Sequence, residues 1–306
     1  MEKKNDSKEQ KGKAPVRRGA DGKPQSGAFR NTNRFGSAKK KSSFKKRDSA
    51  SVVEADVSGW KPKTELGQKV KDKHITSIDE ILDRSFRIME PEIVDSLLKL
   101  EQDLLEVGQS KGKFGGGARR VFRQTQKKTK EGNKPKFSTL SVVGDKNGHV
   151  GLGLGKAKET VPAREKAVRN AKLNVFKIRR GCGSWQCGCG TPHSIPFTVT
   201  GKCGSIEIKL MPAPKGKGLC CQREIAKILG LAGIKDVWTR TQGQTRNMVN
   251  FAYACEEALR KLSQIKMKEE HFKTLAIVEG GIAKKEENES PIPEATAQPE
   301  KPEKKD

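Results

Sequence analysis

The stretch GHVGLGLGKAKE, residues 148–159, carries glycine at alternate positions and a lysine directly after the last of them. Phosphate-binding loops share these features, but a Walker loop also needs a glycine five residues before its Gly-Lys pair and a Ser or Thr after it. Val150 and Ala157 stand at those positions, and Lys156 stands where a dinucleotide-binding loop has its third glycine. The glycines follow the hairpin signal Asn147-Gly148. They therefore favour a strand with one bare face that another backbone can approach closely.

The segment after this strand has small residues at every fourth position, namely Ala163, Ala167, Ala171 and Val175. This spacing predicts a helix with a flat face that lies close against the glycine-stripped strand, and Thr160 is its expected N-cap. Before the strand, residues 118–148 alternate in character and contain Glu131-Gly132-Asn133, which predicts antiparallel hairpin strands. Three strands and one helix therefore form a compact layer.

The flanking segments predict further helices and strands. ITSIDEI begins with a capping box at Ser77 and predicts a short helix. EPEIVDSLLKLEQDLLEV, residues 90–107, has Pro91 in a first-turn position and apolar residues at helical spacing, so it predicts one second helix. In the second half, IPFTVTGKCGSIEIKLMPAP predicts paired strands, LCCQREIAKILGLAG a short helix, VWTRTQG a strand and TRNMVNFAYACEEALRKLSQI a final helix.

The charge of the chain limits its partners. Lys and Arg number 63 against 37 Asp and Glu, and the formal net charge of +26 indicates a polyanion partner, with nucleic acid as the leading one. The basic stretches lack the broad apolar face that binding to an anionic membrane requires, and no apolar run approaches the roughly 18 residues of a membrane span. Aromatic residues make up only 5%, so we expect recognition of shape and backbone phosphates rather than base stacking.

The cysteine segment CGSWQCGCGTPH offers four possible zinc ligands, Cys182, Cys187, Cys189 and His193. Their spacings, with four, one and three intervening residues, differ from the paired two-residue knuckles of common zinc folds. Reduced cysteines in a glycine-rich, RNA-contacting loop are the other interpretation, and the sequence leaves both open. A nucleophilic cysteine beside His193 is disfavoured, since no acidic residue lies nearby in the sequence to orient the histidine.

The run VVGDKNGHVGLGLGKAKE, continued by AREKAVRNAKLNVFKIRRGCGSWQCGCGTPH, resembles the ribosomal protein S5 family of the small subunit in its archaeal form. KLMPAPKGKGL, LAGIKDVWTRTQG and WKPKTELGQKVKDKHITSIDEI extend the collinear match over about residues 58–265. The resemblance implies an α+β fold, with an N-terminal half resembling a double-stranded-RNA-binding fold and a C-terminal βαβ half. The composition of residues 1–50 and 283–306 predicts a disordered basic N-terminal arm and a charged, disordered C-terminal tail on either side of these halves.

The resemblance also implies a function. We expect a non-enzymatic constituent of the cytoplasmic small ribosomal subunit that binds rRNA and supports assembly, the passage of mRNA into the subunit and decoding accuracy. The expected neighbours are proteins of the S3, S4 and S8 families. No cofactor is expected apart from the zinc left open above. A free zinc-dependent nucleic-acid-binding regulator and a phosphate-handling enzyme are the alternatives from other classes.

Five segments are predicted: a basic N-terminal extension (1–54), a helical N-terminal region (55–110), a double-stranded-RNA-binding-like domain (111–181), a C-terminal S5 domain (182–268) and a mostly disordered tail (269–306). The hairpin loop at residues 130–136 is expected to reach rRNA near the decoding region. Lys215 and Lys217 are expected at a helix start that binds phosphate, and Arg179 and Arg180 where the halves join. The full predicted rRNA-binding set is Arg119, Arg120, Arg123, Lys127, Lys128, Lys130, Lys134, Lys136, Lys156, Lys158, Arg179, Arg180, Lys215, Lys217, Arg240 and Arg246.

Overall fold

The computed structural model describes residues 51–52, 59–110 and 119–281. Residues 1–50 of the predicted basic extension and 282–306 of the predicted tail lie outside the described residues. The helices are α1 (Glu65–Lys71), α2 (Ile78–Asp83), α3 (Pro91–Leu97), α4 (Thr160–Leu173), α5 (Arg223–Leu231), α6 (Met248–Gln264) and α7 (Glu269–Thr274). The strands are β1 (Ser51–Val52), β2 (Glu101–Leu105), β3 (Arg123–Thr129), β4 (Gly132–Gly144), β5 (His149–Ala157), β6 (Val175–Lys177), β7 (Arg179–Arg180), β8 (Val199–Cys203), β9 (Ile206–Pro212), β10 (Leu219–Cys220), β11 (Val237–Gln242) and β12 (Val278–Glu279).

The glycine-rich stretch forms β5, which lies between β4 and β6 in a sheet of the order β1-β2-β4-β5-β6, with β3 pairing on the free part of β4. Helix α4 packs on β5 so closely that a Cβ on Gly153 would overlap the Ala171 backbone nitrogen. Gly151 and Gly155 meet the backbone of the same helix, at Ala171 and Ala163. The predicted close approach of strand and helix is confirmed. Since α4 fills the bare face of β5, the structure leaves no room there for a nucleotide.

Two details of this layer differ from the sequence prediction. Helix α4 begins at Thr160 itself, so its N-cap is Glu159, which makes no capping side-chain bond. The helix ends at Leu173, and Val175 belongs to β6. Even so, the methyl group of Val175 lies 3.1 Å from where a Cβ on Gly151 would stand. Val175 therefore extends the small-residue face, but from a strand.

The prediction of one helix over residues 90–107 was wrong in its second half. Helix α3 stops at Leu97, and the backbone at Leu98 is extended. Residues 101–105 form β2, which pairs antiparallel with β4 and sets Leu105 opposite Leu140. Both leucines are buried, so sheet pairing and core burial together outweigh the local helical spacing.

The second sheet has the order β10-β11-β9-β8. Strands β10 and β11 are parallel and α5 connects them, which forms a βαβ unit. Helix α6 covers β8, and a Cβ on Gly201 would overlap the Ala254 carbonyl oxygen, which repeats the glycine-to-helix contact of the first sheet. One continuous hydrophobic cluster contains Leu140 and Leu152 of the first sheet together with Ile208 and Leu259 of the second half.

Helix α2 is joined to the first sheet through the buried side chain of His149. The ring of His149, at the start of β5, lies between two carboxylates, with Nδ1 2.7 Å from Asp145 Oδ2 and Nε2 2.9 Å from Asp79 Oδ1. Burial alone would lower the pKa of His149, but these hydrogen bonds to Asp145 and Asp79 raise it to about 9. Since both ring nitrogens face acceptors, the imidazolium form links α2 to the β4–β5 turn.

The fold continues past residue 268, where the predicted tail begins. Residues 269–281 contain α7 and β12, and β12 pairs antiparallel with β7. None of the helices in the described part of the chain has the length and apolar composition that a membrane span requires.

Candidate nucleic-acid interface and cysteine cluster

Strand β3 and the first five residues of β4 form a two-stranded ribbon, residues 123–136. Every residue of β3 except Thr129 is exposed, and so are residues 132–136. Consecutive side chains of a strand point to opposite faces, so exposure of both sets means that the ribbon has no core-facing side. Six basic residues and one acidic residue lie in it, and Pro135 is its one residue with an apolar side chain.

The register of the ribbon places like charges against each other. Lys127 lies directly opposite Lys134. Of the six basic side chains, only Lys134 has a carboxylate partner within the described residues, at 2.8 Å from Glu131, and both of these groups are largely exposed. Like charges in directly opposed positions are destabilising, and a two-stranded ribbon is at best marginally stable alone. An anionic partner along the ribbon would relieve both costs.

The sequence prediction misplaced the hairpin loop. Residues 130–136 were expected to form the loop, but β3 ends at Thr129 and β4 begins at Gly132. The turn is therefore Lys130-Glu131, and Gly132 follows with a φ of 113°, which glycine adopts without strain. Lys134 and Lys136 are strand residues at the base of this turn.

The ribbon continues into other predicted basic residues. Lys156 lies opposite Ser138 at the end of β5, and Lys158 follows it; both are exposed. At the other edge, the Arg119 Nη1 atom donates to the Arg246 carbonyl oxygen at 3.2 Å and so brings together two residues that are distant in sequence. Arg120 is exposed beside Arg119.

A second basic area lies on the outer face of the four-stranded sheet. Arg240 of β11 lies directly opposite Lys209 of β9, and both line a shallow depression together with Glu207 and Gln242. Arg240 was predicted from the sequence, but Lys209 was not. The alternation of β9, in which Ile206, Ile208 and Leu210 are buried, is the signal that assigns Lys209 to the exposed face.

Three parts of the predicted rRNA-binding set have surroundings that differ from the prediction. Arg180 is only 5% exposed, and its Nη2 atom donates to the Asn147 carbonyl and side-chain oxygens at 2.9 Å, so it is not available to RNA. The half-buried Arg179 guanidinium donates to the Glu279 carboxylate and to the Ile265 carbonyl oxygen. Lys215 and Lys217 are exposed, but their loop leads into β10, and α5 begins only at Arg223. The predicted helix start is therefore absent at this loop.

The structure brings the four predicted zinc ligands together. The ligand atoms of Cys182, Cys187, Cys189 and His193 all lie within 4.8 Å of one another. Cys182 Sγ is 3.6 Å from Cys189 Sγ, and Cys187 Sγ is 3.7 Å from His193 Nε2. The Thr191 hydroxyl, 3.1 Å from Cys189 Sγ, lowers the pKa of that thiol, whereas burial raises the pKa of Cys182.

The fold supplies His193 with an acidic partner that the neighbouring sequence lacks. His193 Nδ1 lies 2.8 Å from Asp236 Oδ2, at the start of β11, and both side chains are buried. The other carboxylate oxygen of Asp236 accepts from the Gly218 N–H at 2.7 Å. The hydrogen bond between His193 Nδ1 and Asp236 fixes the imidazole ring so that Nε2 faces the three sulfur atoms.

Comparison with known proteins gives the class of the two halves. The family model described as ribosomal protein S5, N-terminal domain, matches residues 121–179, and the one described as ribosomal protein S5, C-terminal domain, matches residues 201–271. The first match covers the ribbon, β5 and α4, and the second covers α6 and the four-stranded sheet except the first two residues of β8.

Whole-length relatives agree with these matches. The small ribosomal subunit protein uS5 of Nanoarchaeum equitans is 48% identical over 231 residues, which cover 75% of this chain and 99% of that protein. The uS5 of Methanocaldococcus jannaschii is 48% identical over 228 residues, and that of Pyrobaculum islandicum is 47% identical over 213 residues; each match covers 98% of the relative and, respectively, 74% and 69% of this chain. This chain belongs to the ribosomal protein S5 family, in its archaeal form.

Proposed function

We propose that this chain is a structural component of the small ribosomal subunit that binds rRNA and supports subunit assembly, the passage of mRNA into the subunit and translational accuracy. Family membership supports the ribosomal role, because the relatives are named small ribosomal subunit protein uS5. The family is structural and non-enzymatic. Proteins of the S3, S4 and S8 families are the proposed neighbours.

The observation that carries the rRNA-binding role is the ribbon at residues 123–136. A strand pair that buries nothing contributes little to the core, yet it concentrates six basic side chains against one acidic side chain. Phosphate contacts provide much of the affinity of RNA-binding proteins and need lysine and arginine rather than aromatic platforms. The proposal assigns the ribbon to the phosphate backbone of folded rRNA.

The proposed interface keeps the predicted residues except Arg179 and Arg180, whose guanidinium groups bond within the protein, and adds Lys209. It comprises Arg119, Arg120, Arg123, Lys127, Lys128, Lys130, Lys134, Lys136, Lys156, Lys158, Lys209, Lys215, Lys217, Arg240 and Arg246. The antiparallel strands β3, β4 and β5 with α4 on one face support a double-stranded-RNA-binding-like N-terminal half. Shape-based contacts along a helical RNA segment suit such a layer.

The alternatives have less support. The glycine-rich stretch does not form the phosphate-binding loop that a phosphate-handling enzyme would need, since α4 fills the glycine face of β5. The cysteine cluster does not favour a free zinc-dependent regulator, because four ligands in one loop are equally compatible with a ribosomal protein.

Sedimentation tests the ribosomal role. Tagged chain, expressed in an archaeal host or added to subunits lacking their own S5 protein, should migrate with small subunits at moderate salt. A tagged basic protein unrelated to ribosomes controls for adsorption by charge. A chain that stays at the top of the gradient while the subunits sediment would contradict the proposal.

A further inference from the structure

The loop between β7 and β8 is ordered without a hydrophobic anchor. Within residues 183–193, Trp185 is the one large apolar side chain, and it is 88% exposed. Three glycines in the same stretch, among them Gly190 with a φ of 63°, add backbone freedom. Loops of about this length that pack nothing of their own need another source of order.

Four side chains of residues 182–193 that are typical zinc ligands converge, with their ligand atoms within 4.8 Å of one another. Tetrahedral zinc, with Zn–S of about 2.3 Å and Zn–N of about 2.05 Å, sets its sulfur atoms about 3.8 Å apart and a sulfur and a nitrogen about 3.6 Å apart. The Cys182–Cys189 sulfur separation is 3.6 Å, and Cys187 Sγ lies 3.7 Å from His193 Nε2. Both separations agree with the edge lengths of such a tetrahedron. We propose that Cys182, Cys187, Cys189 and His193 bind one zinc ion as a structural site.

The surroundings of His193 match those of a zinc-bound histidine. Metal-ligating histidines donate their second ring N–H to a carboxylate or carbonyl, which fixes the ring and the tautomer. The Asp236 carboxylate, 2.8 Å from His193 Nδ1, supplies this partner. Asp236 and Lys235 also donate their backbone N–H groups to the His193 carbonyl oxygen. The loop is thus joined to β11 at the residue that completes the ligand set.

A catalytic cysteine explains the cluster less well. Cys187, His193 and Asp236 form a nucleophile–base–acid order, but a nucleophile needs one thiol, whereas three sulfur atoms converge here. Zinc uses all four ligands and leaves no open position, which is the arrangement of structural rather than catalytic sites.

The proposed site gives the loop a role separate from the ribbon. Its ends are held by the Gly181–Ser194 bridge and by the Cys182 N–H bond to the Leu275 carbonyl oxygen. Zinc would close the space between these ends and hold Trp185 and Gln186 at a fixed position on the surface. This inference goes beyond rRNA binding by the ribbon and does not depend on it.

Metal analysis of the full chain tests the site. Protein produced with zinc in the medium and purified without chelator should contain about one equivalent of zinc. Cys187→Ser and Cys189→Ser should each lose most of it. Cys220→Ser, which removes an exposed thiol outside the cluster, should keep the wild-type amount. Wild-type protein without zinc, or equal zinc in all three variants, would overturn the site.

Two measurements on unmutated protein keep the test decisive if a variant fails to fold. Cobalt added to zinc-free wild-type chain should produce the intense visible bands of tetrahedral thiolate coordination and quench tryptophan emission from Trp185. Thiol titration in denaturant without reductant should find all seven cysteines free. Two thiols fewer and no metal, with peptide mapping that finds a disulfide between two cysteines of the cluster, would overturn the proposal.

Discussion

Strand β4 passes through two opposite environments within thirteen residues. Its first five residues are exposed and belong to the basic ribbon, whereas its last six are buried between β2, β5 and the helices. In the buried part, glycine and alanine on neighbouring elements let backbones touch, so a single added carbon has nowhere to go. In the exposed part, side chains contact little protein and carry charge. Stability therefore lies in one half of the strand and the proposed binding function in the other.

The largest expected loss of stability comes from a substitution in the tightly packed layer around the buried half of β4. Gly153→Ala places a Cβ into the Ala171 backbone nitrogen and the Ala167 carbonyl oxygen, so α4 must move off the sheet. We expect the free energy of unfolding to fall by about 3 kcal/mol or more, measured by urea denaturation.

The matched control is Gly230→Ala in α5, where a Cβ meets nothing within 4 Å. That variant should be unchanged or more stable by about 0.5–1 kcal/mol, because alanine favours the helix. Equal denaturation midpoints for wild type and Gly153→Ala would show that the close strand–helix contact is not needed.

A smaller loss of stability is expected when the hydrogen bonds of His149 to Asp79 and Asp145 are removed. His149→Gln removes the imidazolium between Asp79 and Asp145, and we expect a loss of about 2 kcal/mol near pH 6. The pKa of His149 is raised in the folded chain from 6.5 to about 9, so its contribution is complete below pH 6.5 and is lost as the pH rises through 9. The stability difference between wild type and variant should shrink over that range.

Urea denaturation at several pH values measures this difference, with His74→Gln as the control because His74 is exposed. A difference that stays constant from about pH 6 to pH 9 would contradict the proposed charge on His149.

The smallest stability effect is expected in the ribbon. The double variant Lys130→Ala, Lys134→Ala should change the free energy of unfolding by less than about 0.5 kcal/mol, since both side chains are exposed and the one ion pair lost, Lys134–Glu131, lies in solvent. Under the proposed function, the variant enters small subunits but alters misreading or sensitivity to antibiotics that depend on head movement.

A variant with Lys69→Ala and Lys99→Ala, also exposed, serves as the control for this assay. Incorporation with unchanged accuracy and drug response would contradict the functional role of the turn, and failure to fold would contradict its exposed position.

The elements predicted correctly from the sequence are those whose packing follows from the spacing of residues within one strand or helix. The alternate glycines of β5 and the four-residue alanine spacing of α4 predicted a contact that the structure confirms, because both features follow directly from strand and helix periodicity. The C-terminal helix α6 was likewise predicted from its apolar face, with Met248, Phe251 and Leu259 buried.

Long-range pairing was not available from the sequence. Leu104 and Leu105 fit a helix by spacing, and only the register with β4 turns them into a strand. Asp236 orients His193 from 43 residues away, and Asp79 reaches His149 across 70. The zinc ligands could be proposed from residue type alone, whereas their convergence is a result of the fold. Burial of Arg180 follows from the close packing of Gly280 and Asn147 around it, which no local pattern indicates.

The salt dependence of RNA binding tests the central claim, that the ribbon binds rRNA phosphates, most directly. Affinity for small-subunit rRNA should fall steeply with salt for wild type, and Lys127→Gln, Lys128→Gln, Lys130→Gln together should reduce the slope of log K against log salt by about two to three. Three exposed lysines elsewhere, Lys69, Lys99 and Lys266, changed to Gln should leave the slope close to wild type. Equal slopes for the ribbon variant and wild type, or equal losses in both variants, would contradict the claim.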